Sequence, residues 1–545
     1  MYKLTFKSQG ITVQVPIGTT IMEAINESNF QIDAFCNGKG ECGKCIIKLK
    51  VIANEPTLYE IKLLGSRIKE GYRLACRTKI MGDAEILFNE KSELNSLKDG
   101  KTMDYEFDPP CVDIKSFHSK AYGLAVDIGT TSLVISLNDL LNKGIEIDTI
   151  STLNPQTRHG GDVITRINYA HESKGNLNKL NQLVSRGINE LIGQICKRNH
   201  ITEDDIAHIV FAGNTIMLHL LAGVDPISLG IAPYNMVFSE YKHLSSREIN
   251  VKGGSKTCYS LLPSLSAFVG SDILAGMIAT GFHQLEGASL FIDIGTNGEI
   301  VANINGRLVA TSSAAGPALE GMNIEYGCRA EDGAISRVQI MEDGFISIST
   351  INDKSPIGIC GSGLVDLVSE LLKSGVVCES GSFAEIEDIP EPLRKNMIEY
   401  KGRNAFVVDW ESKIVITQRD IREVQLAKGA IAAAISILFT YLEVEISRIE
   451  NVYIAGAFGY HLDAQALIHI GLLPSTLELS TIEFVGNTSK EGTRLCLISQ
   501  KALEEIKHLK TTIESVELSF IPEFQDVFVE NMEFLNVNNI LGESI

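Results

Sequence analysis

Four cysteines near the start of the chain, Cys36, Cys42, Cys45 and Cys76, are spaced C-x5-C-x2-C-x30-C. Three of them fall in the single stretch CNGKGECGKC, so their thiolates converge only if the loop wraps around one centre. Gly38, Gly40 and Gly43 permit the tight turns this requires. They also let peptide N–H groups approach sulfur, where hydrogen bonds help set a cluster's potential. Two chemistries suit the set, an iron–sulfur cluster and a four-thiolate zinc site. Zinc ribbons use two C-x-x-C knuckles, and a single one stands here, which favours iron and sulfide.

A second constellation is repeated. GLAVDIGTTSLVISL (123–137) matches LFIDIGTNGEIVANI (290–304), each an apolar strand, the turn D-I-G-T and a second strand. A glycine-bearing hairpin turns backbone N–H groups and threonine hydroxyls toward a phosphate. A carboxylate at the end of the first strand holds Mg²⁺ through water, because that ion keeps most of its hydration shell. Two facing hairpins would clamp a phosphate chain from both sides. The residues concerned are Asp127, Gly129, Thr130 and Thr131 in the first, and Asp293, Gly295, Thr296 and Asn297 in the second. Asp127 and Asp293 are the expected Mg²⁺ contacts. Glu299, just past the second turn, is placed to orient an attacking water or else is a solvated strand-end carboxylate.

NVYIAGAFGYHLD (451–463) reads as a strand running into Gly456, Ala457 and Gly459. It resembles the adenosine loop of the superfamily of sugar kinases, heat-shock chaperones and actin, where small residues let the backbone pass close to adenine and ribose. That resemblance implies a two-lobed, actin-like (ribonuclease H-like) ATPase body and an adenosine site at Gly456, Ala457 and Gly459. The N-terminal cysteine segment resembles a 2Fe–2S ferredoxin of the β-grasp type. Five residues rather than four separate its first two cysteines, nearer to the adrenodoxin-like branch, which leaves the potential open.

These sites need elements to position them. KLTF and ITVQVP around a Gly turn form a hairpin, and TTIMEAINES a short helix. The expected α/β multidomain architecture is a β-grasp 2Fe–2S ferredoxin-like domain over 1–90 and a linker over 91–120. The two ATPase lobes follow, over 121–285 and 286–545. The linker segment is polar, aperiodic and carries Pro109-Pro110; Cys111 within it reads as an unliganded thiol. GAIAAAISILFTYL (429–442) is too short for the roughly 20 residues a bilayer needs, and reads as a buried core helix. The N-terminus has no apolar leader. A soluble, cytoplasmic protein is expected.

The 545 residues carry 48 Lys+Arg and 68 Asp+Glu, a formal net charge of −20, with 44% hydrophobic residues. Residues 1–90 hold 12 Lys+Arg and 10 Asp+Glu, so the acidity belongs to the rest. Nucleic acid and anionic membrane are therefore poor partners. Eleven cysteines, an odd number with uneven spacing and four of them within the first 76 residues, point to metal or redox chemistry rather than a disulfide framework.

ICGSGLVDLV (359–368) resembles the superfamily's connecting turn into a helix. Further strings narrow the family: NPQTRHGGDVITRI (154–167), FAGNTIMLHL (211–220), LPSLSAFVGSDILAG (262–276), SAAGPALEGMNI (313–324) and DIREVQLAKGAI (420–431). Together with the ferredoxin segment they resemble the reductive activators of corrinoid-dependent enzymes over essentially the whole chain. That resemblance implies ATP-dependent one-electron reduction of a partner's Co(II) to Co(I) in a methyltransferase system. The cofactors implied are a 2Fe–2S cluster, ATP and Mg²⁺, with Cys36, Cys42, Cys45 and Cys76 as cluster ligands. A corrinoid protein, a low-potential electron donor and a second copy of the chain are the implied partners. A ferredoxin swinging on the linker would make shortening of 91–120 slow reduction while sparing ATP hydrolysis. The competing readings are an ATP-gated ferredoxin-like redox sensor and a small-molecule kinase of the same superfamily. His219 is expected to be a satisfied core residue, His159 a weaker binding candidate, and Asp272 either a pocket residue or a helix cap.

Overall fold

The computed structural model describes residues 1–7, 10–28, 32, 45–50, 54–87, 100–112, 114–117, 119–456 and 462–535. Alternating apolar residues put Leu4, Phe6 and Val15 on one face of the hairpin Tyr2–Phe6/Ile11–Val15. That face is covered by Ile21, Ala24 and Ile25 of the helix Ile21–Glu27. Ala84–Leu87 adds in parallel to Tyr2–Phe6, then Ile46–Lys50 and Tyr72–Leu74 complete a five-stranded sheet. One helix grasped by a mixed sheet is the ferredoxin-like arrangement.

The last two strands position two of the cysteines. Cys45 precedes Ile46–Lys50, Cys76 follows Tyr72–Leu74, and the Ala75 N–H donates to the Cys45 carbonyl at 2.8 Å. Beneath them lies a fully buried carboxylate. Glu60 accepts from Arg73 Nε at 2.9 Å, from Arg73 Nη2 at 3.1 Å and from the Leu74 N–H at 3.1 Å. Burial works to raise its pKa, but Arg73 and the Thr57 and Leu74 N–H groups outweigh it and hold the carboxyl below its ordinary 4.5. Its stabilisation is therefore present above pH 4.5 and is lost as pH falls through the lowered folded value. Glu60→Ala strands Arg73 in the core and is expected to cost about 3–5 kcal/mol, measured by denaturant unfolding of this unit. A cost near zero would show that the ion pair is dispensable.

The repeated strings fold into two sheets of the same plan. In the first, the order is Lys242–Leu244, Cys258–Leu261, Ile206–Gly213, Tyr122–Ile128, Ser132–Asp139, Ile145–Leu153. In the second it is Ile482–Gly486, Ile449–Ala455, Ala288–Ile294, Gly298–Ile304, Arg307–Ser313, Glu514–Ser515. In each, the strand ending in the D-I-G-T turn forms an antiparallel hairpin on one side and pairs in parallel with an inner strand on the other. Both central strands are almost continuously apolar, as strands buried on both faces must be.

The lobes meet through two helices, Ser271–Thr280 and Thr488–Ile498. Their close approach depends on glycine: a Cβ at Gly492 would lie 1.8 Å from the Ala275 carbonyl oxygen. The apolar run expected as a core helix lies in Gln418–Tyr441, capped by a Thr417/Asp420 box. By length and mean hydropathy (1.5) that helix could cross a membrane, but 78% of its apolar window is packed inside the protein.

The segment read as a linker is different in kind from a free tether over its described part. Residues 100–112 form a strap along the second lobe. Gly100 bridges to Gly486, the Lys101 N–H donates to the Val485 carbonyl at 2.8 Å, and Asp108 exchanges backbone bonds with Ile498 and Gln500 at 3.0 and 2.7 Å. Tyr105, Phe107, Val112, Ile114 and Phe117 pack on the body's core. Most of these bonds are made by the backbone, which leaves no periodicity to read in the sequence.

Candidate functional site: a carboxylate-lined cleft between two D-I-G-T hairpins

Both D-I-G-T turns open into one cleft between the sheets. Asp127, Gly129, Thr130, Thr131, Asp293, Gly295, Thr296, Asn297, Glu299 and Gly456 all line it. Ala457 and Gly459 lie outside the described residues, as do Cys36 and Cys42. Gly456 has φ +108°, and a Cβ there would meet Asp293 Oδ1 at 2.9 Å and the Ile294 carbonyl at 2.8 Å. A larger residue would push the two strand ends apart.

The first hairpin is held from behind by residues whose role the sequence did not reveal. Asn154 Nδ2 donates to the Gly129 carbonyl at 2.8 Å, and the Asn154 N–H to the Thr131 carbonyl at 2.9 Å. Arg166, fully buried, donates to the Thr130 carbonyl. Burial lowers Arg166 to about 9, still protonated at neutral pH.

Two sets of contacts join the lobes across the cleft. Asp127 accepts from Ser489 Oγ at 2.8 Å and Asn487 Nδ2 at 3.2 Å. Glu320 takes one hydroxyl from each hairpin, Thr131 Oγ1 and Thr296 Oγ1, both at 2.9 Å. Glu320 lies in the string SAAGPALEGMNI and Asn487 and Ser489 in none of the motifs, so only the folded chain identifies them. Asp272 sits in the first turn of Ser271–Thr280, whose N-cap is Gly270; it faces the cleft and is not the cap. Asn214 caps Thr215–Leu221 by accepting from the Ile216 N–H at 3.0 Å and also lines the cleft.

Five carboxylates thus line one cleft: Asp127, Asp272, Asp293, Glu299 and Glu320. All are pushed upward, first by burial. Asp293 reaches about 7, with Asp127 and Glu320 adding repulsion, and Asp272 about 8, with Asp293 and Asp127 adding theirs. Such a cleft favours a cation. The linkage has a definite sign. An aspartate with a raised folded pKa keeps its proton on folding, so stability falls as pH rises from about 4 to about 8. Asp272→Asn removes that cost. Without nucleotide, its Tm is expected to exceed the parent's by about 2 °C or more at pH 8 and by less at pH 5. A difference that shrinks with pH would contradict the assignment.

The two histidines are not at the cleft wall. His219 is a buried core residue, hydrogen-bonded through Nδ1 to the Thr215 carbonyl at 2.8 Å and stacked on Phe238, but it is only half satisfied, since its Nε2 is buried without a hydrogen-bond partner among the described residues. His159 stacks on Tyr169, and burial lowers it to about 4. Cys360 is buried at the start of the helix Gly361–Lys373, whose first turn borders the cleft.

In the N-terminal unit, Cys45 and Cys76 are buried with their sulfurs 3.3 Å apart. Two thiolates sharing one tetrahedral metal at about 2.3 Å stand roughly 3.8 Å apart, so a small adjustment lets this pair hold one iron. Their burial also suits a cluster that is shielded from solvent.

Fold and cleft together define a ferredoxin-like module fused to a two-lobed ATPase of the actin and sugar-kinase class. Comparison with known proteins is more specific. Residues 4–81 match the 2Fe-2S iron-sulfur cluster binding domain, 122–285 the RACo middle region, and 287–543 the C-terminal domain of RACo, the ASKHA domain. The chain is 34% identical over 421 residues to the corrinoid activation enzyme RamQ of Eubacterium limosum, covering 76% of this chain and 70% of that protein. It is 26% identical to the [Co(II) methylated amine-specific corrinoid protein] reductase of Methanosarcina barkeri, covering 73% and 74%. A solved structure of a reductive activator for corrinoid, iron-sulfur protein superposes with a TM-score of 0.72 at 30% identity, over 98% of both chains. The chain belongs to the RACo family of corrinoid activation enzymes.

Proposed function

We propose that this chain is an ATP-dependent reductive activator that delivers one electron to the Co(II) of a corrinoid protein, giving Co(I) in a methyltransferase system. The observation that carries it is the joining, in one polypeptide, of a buried cysteine pair in a ferredoxin-like unit to a two-hairpin cleft. Cys36, Cys42, Cys45 and Cys76 would hold a 2Fe–2S cluster, which when bound supplies electrons singly.

The body's residues account for the need for ATP. Reducing Co(II) to Co(I) is uphill from an ordinary 2Fe–2S potential, and each 100 mV corresponds to about 2.3 kcal/mol per electron. A nucleotide can supply this only by favouring one conformation over another. The cleft offers such a lever. Thr131 and Thr296, which donate to Glu320 across the lobes, are the hydroxyls that would turn to phosphate oxygens. Asp127 and Asp293 would hold Mg²⁺ through its waters, relieving the carboxylate crowding. Gly129, Thr130, Gly295 and Asn297 would line the phosphate chain, and Gly456, Ala457 and Gly459 the adenosine. Glu299, hydrogen-bonded to Asn297 Nδ2 at 3.2 Å, would orient the attacking water. We assign the units as 1–90, 91–120, 121–285 and 286–545. The chain would act in the cytoplasm as a homodimer, served by a low-potential electron donor.

The test is ATP turnover by the purified chain with and without a corrinoid protein held as Co(II). Hydrolysis to free phosphate that rises with the Co(II) partner is expected. Phosphate appearing instead on an added hexose would assign the cleft to a sugar kinase.

A further inference from the structure

A second reactive constellation lies far from the cleft, where the strap meets the edge of the first lobe. Cys111 is exposed and takes the left-handed conformation, φ +67°, which a non-glycine residue adopts only when its surroundings impose it. Its sulfur lies 3.4 Å from His243 Nε2 and 3.5 Å from the Tyr241 hydroxyl. Cys258 reaches the same residue from the sheet, its thiol donating to the Cys111 carbonyl at 3.4 Å. Strand register explains the grouping: His243 on the edge strand pairs with Ser260, and Cys258 lies two residues before Ser260 on the same face of its strand.

The hydrogen bonds fix which atom faces Cys111. Ser260 Oγ has one proton and two lone pairs, and three partners saturate it: the Tyr241 hydroxyl at 2.9 Å, His208 Nε2 at 2.9 Å and His243 Nδ1 at 3.1 Å. In the arrangement where the serine proton goes to His208 Nε2, His243 Nδ1 carries a proton and donates it to Ser260 Oγ. Nε2 is then the unprotonated ring atom that can take the Cys111 proton. The cysteines also differ in a useful way. Cys111 is open to solvent, whereas burial first, and the nearby Cys111 second, keep the half-buried Cys258 thiol protonated.

We propose that Cys111 and Cys258 form a reversible dithiol–disulfide pair, with His243 accepting the Cys111 proton, through which a peroxide fastens the strap covalently to the first lobe. In the first step the Cys111 thiolate attacks one peroxide oxygen. The O–O bond breaks, and the departing hydroxide leaves as water with the proton held on His243. The sulfenic acid formed is then attacked by Cys258; the S–O bond breaks, the S–S bond forms, and a second water departs with the Cys258 proton. Two thiols lose two electrons to one hydrogen peroxide, and a thiol reductant reverses the change. Because the strap is bonded to the second lobe at Lys101 and Asp108, the disulfide would tie it to both lobes. The inference is independent of the cobalt chemistry proposed above.

The experiment uses the full chain with its cluster intact, as followed by visible absorption, treated anaerobically with one equivalent of hydrogen peroxide and mapped by peptide mass spectrometry. A Cys111–Cys258 cross-linked peptide that disappears on reduction is expected. Cys258→Ser should halt at a Cys111 sulfenic acid that dimedone captures. Cys378, exposed but outside such a cluster, is the internal reference. Cys111 should be alkylated by iodoacetamide about tenfold faster, and His243→Asn should remove most of that difference. The proposal is overturned if both thiols remain alkylatable after peroxide, or if Cys111 reacts no faster than Cys378. It is equally overturned if the chain carries zinc that Cys111→Ser releases and forms no cross-link.

Discussion

Asp293→Asn is expected to lower ATP hydrolysis by about two to three orders of magnitude, the loss typical of removing one preorganised electrostatic contact from a reacting centre. The substitution keeps the shape of the side chain and removes its charge. Asp293 ends a central strand, borders Gly456 and shares the cleft with four other carboxylates. In the proposed mechanism its charge holds the hydrated cation against the phosphates. Burial, with Asp127 and Glu320, raises its pKa to about 7 in the cation-free cleft, so Mg²⁺ must displace that proton and the parent's apparent affinity for Mg²⁺ should rise as pH rises through 7. The Asn variant should lack that rise. Steady-state hydrolysis measured from pH 6 to 8.5 over a series of Mg²⁺ concentrations checks both statements. A variant within twofold of the parent would remove Asp293 from the mechanism.

Cys76→Ala carries the second large effect. Cys76 is buried against Cys45, and the backbone bond from Ala75 to Cys45 fixes their approach. Losing one of the four proposed ligands is expected to abolish the visible absorption of the cluster and to reduce cobalt reduction below detection. ATP hydrolysis should stay within about twofold, because none of the described residues in the first ninety lines the cleft. Cys196→Ala is the matched control: it is also a buried cysteine, but lies in the helix Lys174–Arg198 of the first lobe. It should leave both cluster and reduction intact. Retained absorption in Cys76→Ala would mean that another residue completes the ligand set.

Much of this architecture was legible because its signals are local. The D-I-G-T hairpins each carry strand, turn and strand within fifteen residues, and their repetition marks the two lobes. The cysteine spacing likewise declares one centre. Asn154 and Arg166 were hidden because they act through backbone carbonyls of the first hairpin, and Asn487 and Ser489 because they reach Asp127 from the opposite lobe. Glu320 bonds to hydroxyls on both hairpins, a role that exists only once the lobes face each other. Asp272 reads in sequence as cap or pocket residue, and only the position of Gly270 as N-cap decides between them. The strap was missed for a related reason, since its attachment runs largely through main-chain bonds to Val485 and Ile498.

The most direct test of the central claim is anaerobic mixing of the dithionite-reduced chain, freed of excess reductant, with a corrinoid protein in the Co(II) state, following cobalt absorbance. Co(I) should appear when MgATP is present, fail to appear without it, and fail again with Asp293→Asn. Equal formation of Co(I) without nucleotide, or none with MgATP although the cluster is intact and reduced, would contradict ATP-driven reduction of the corrinoid.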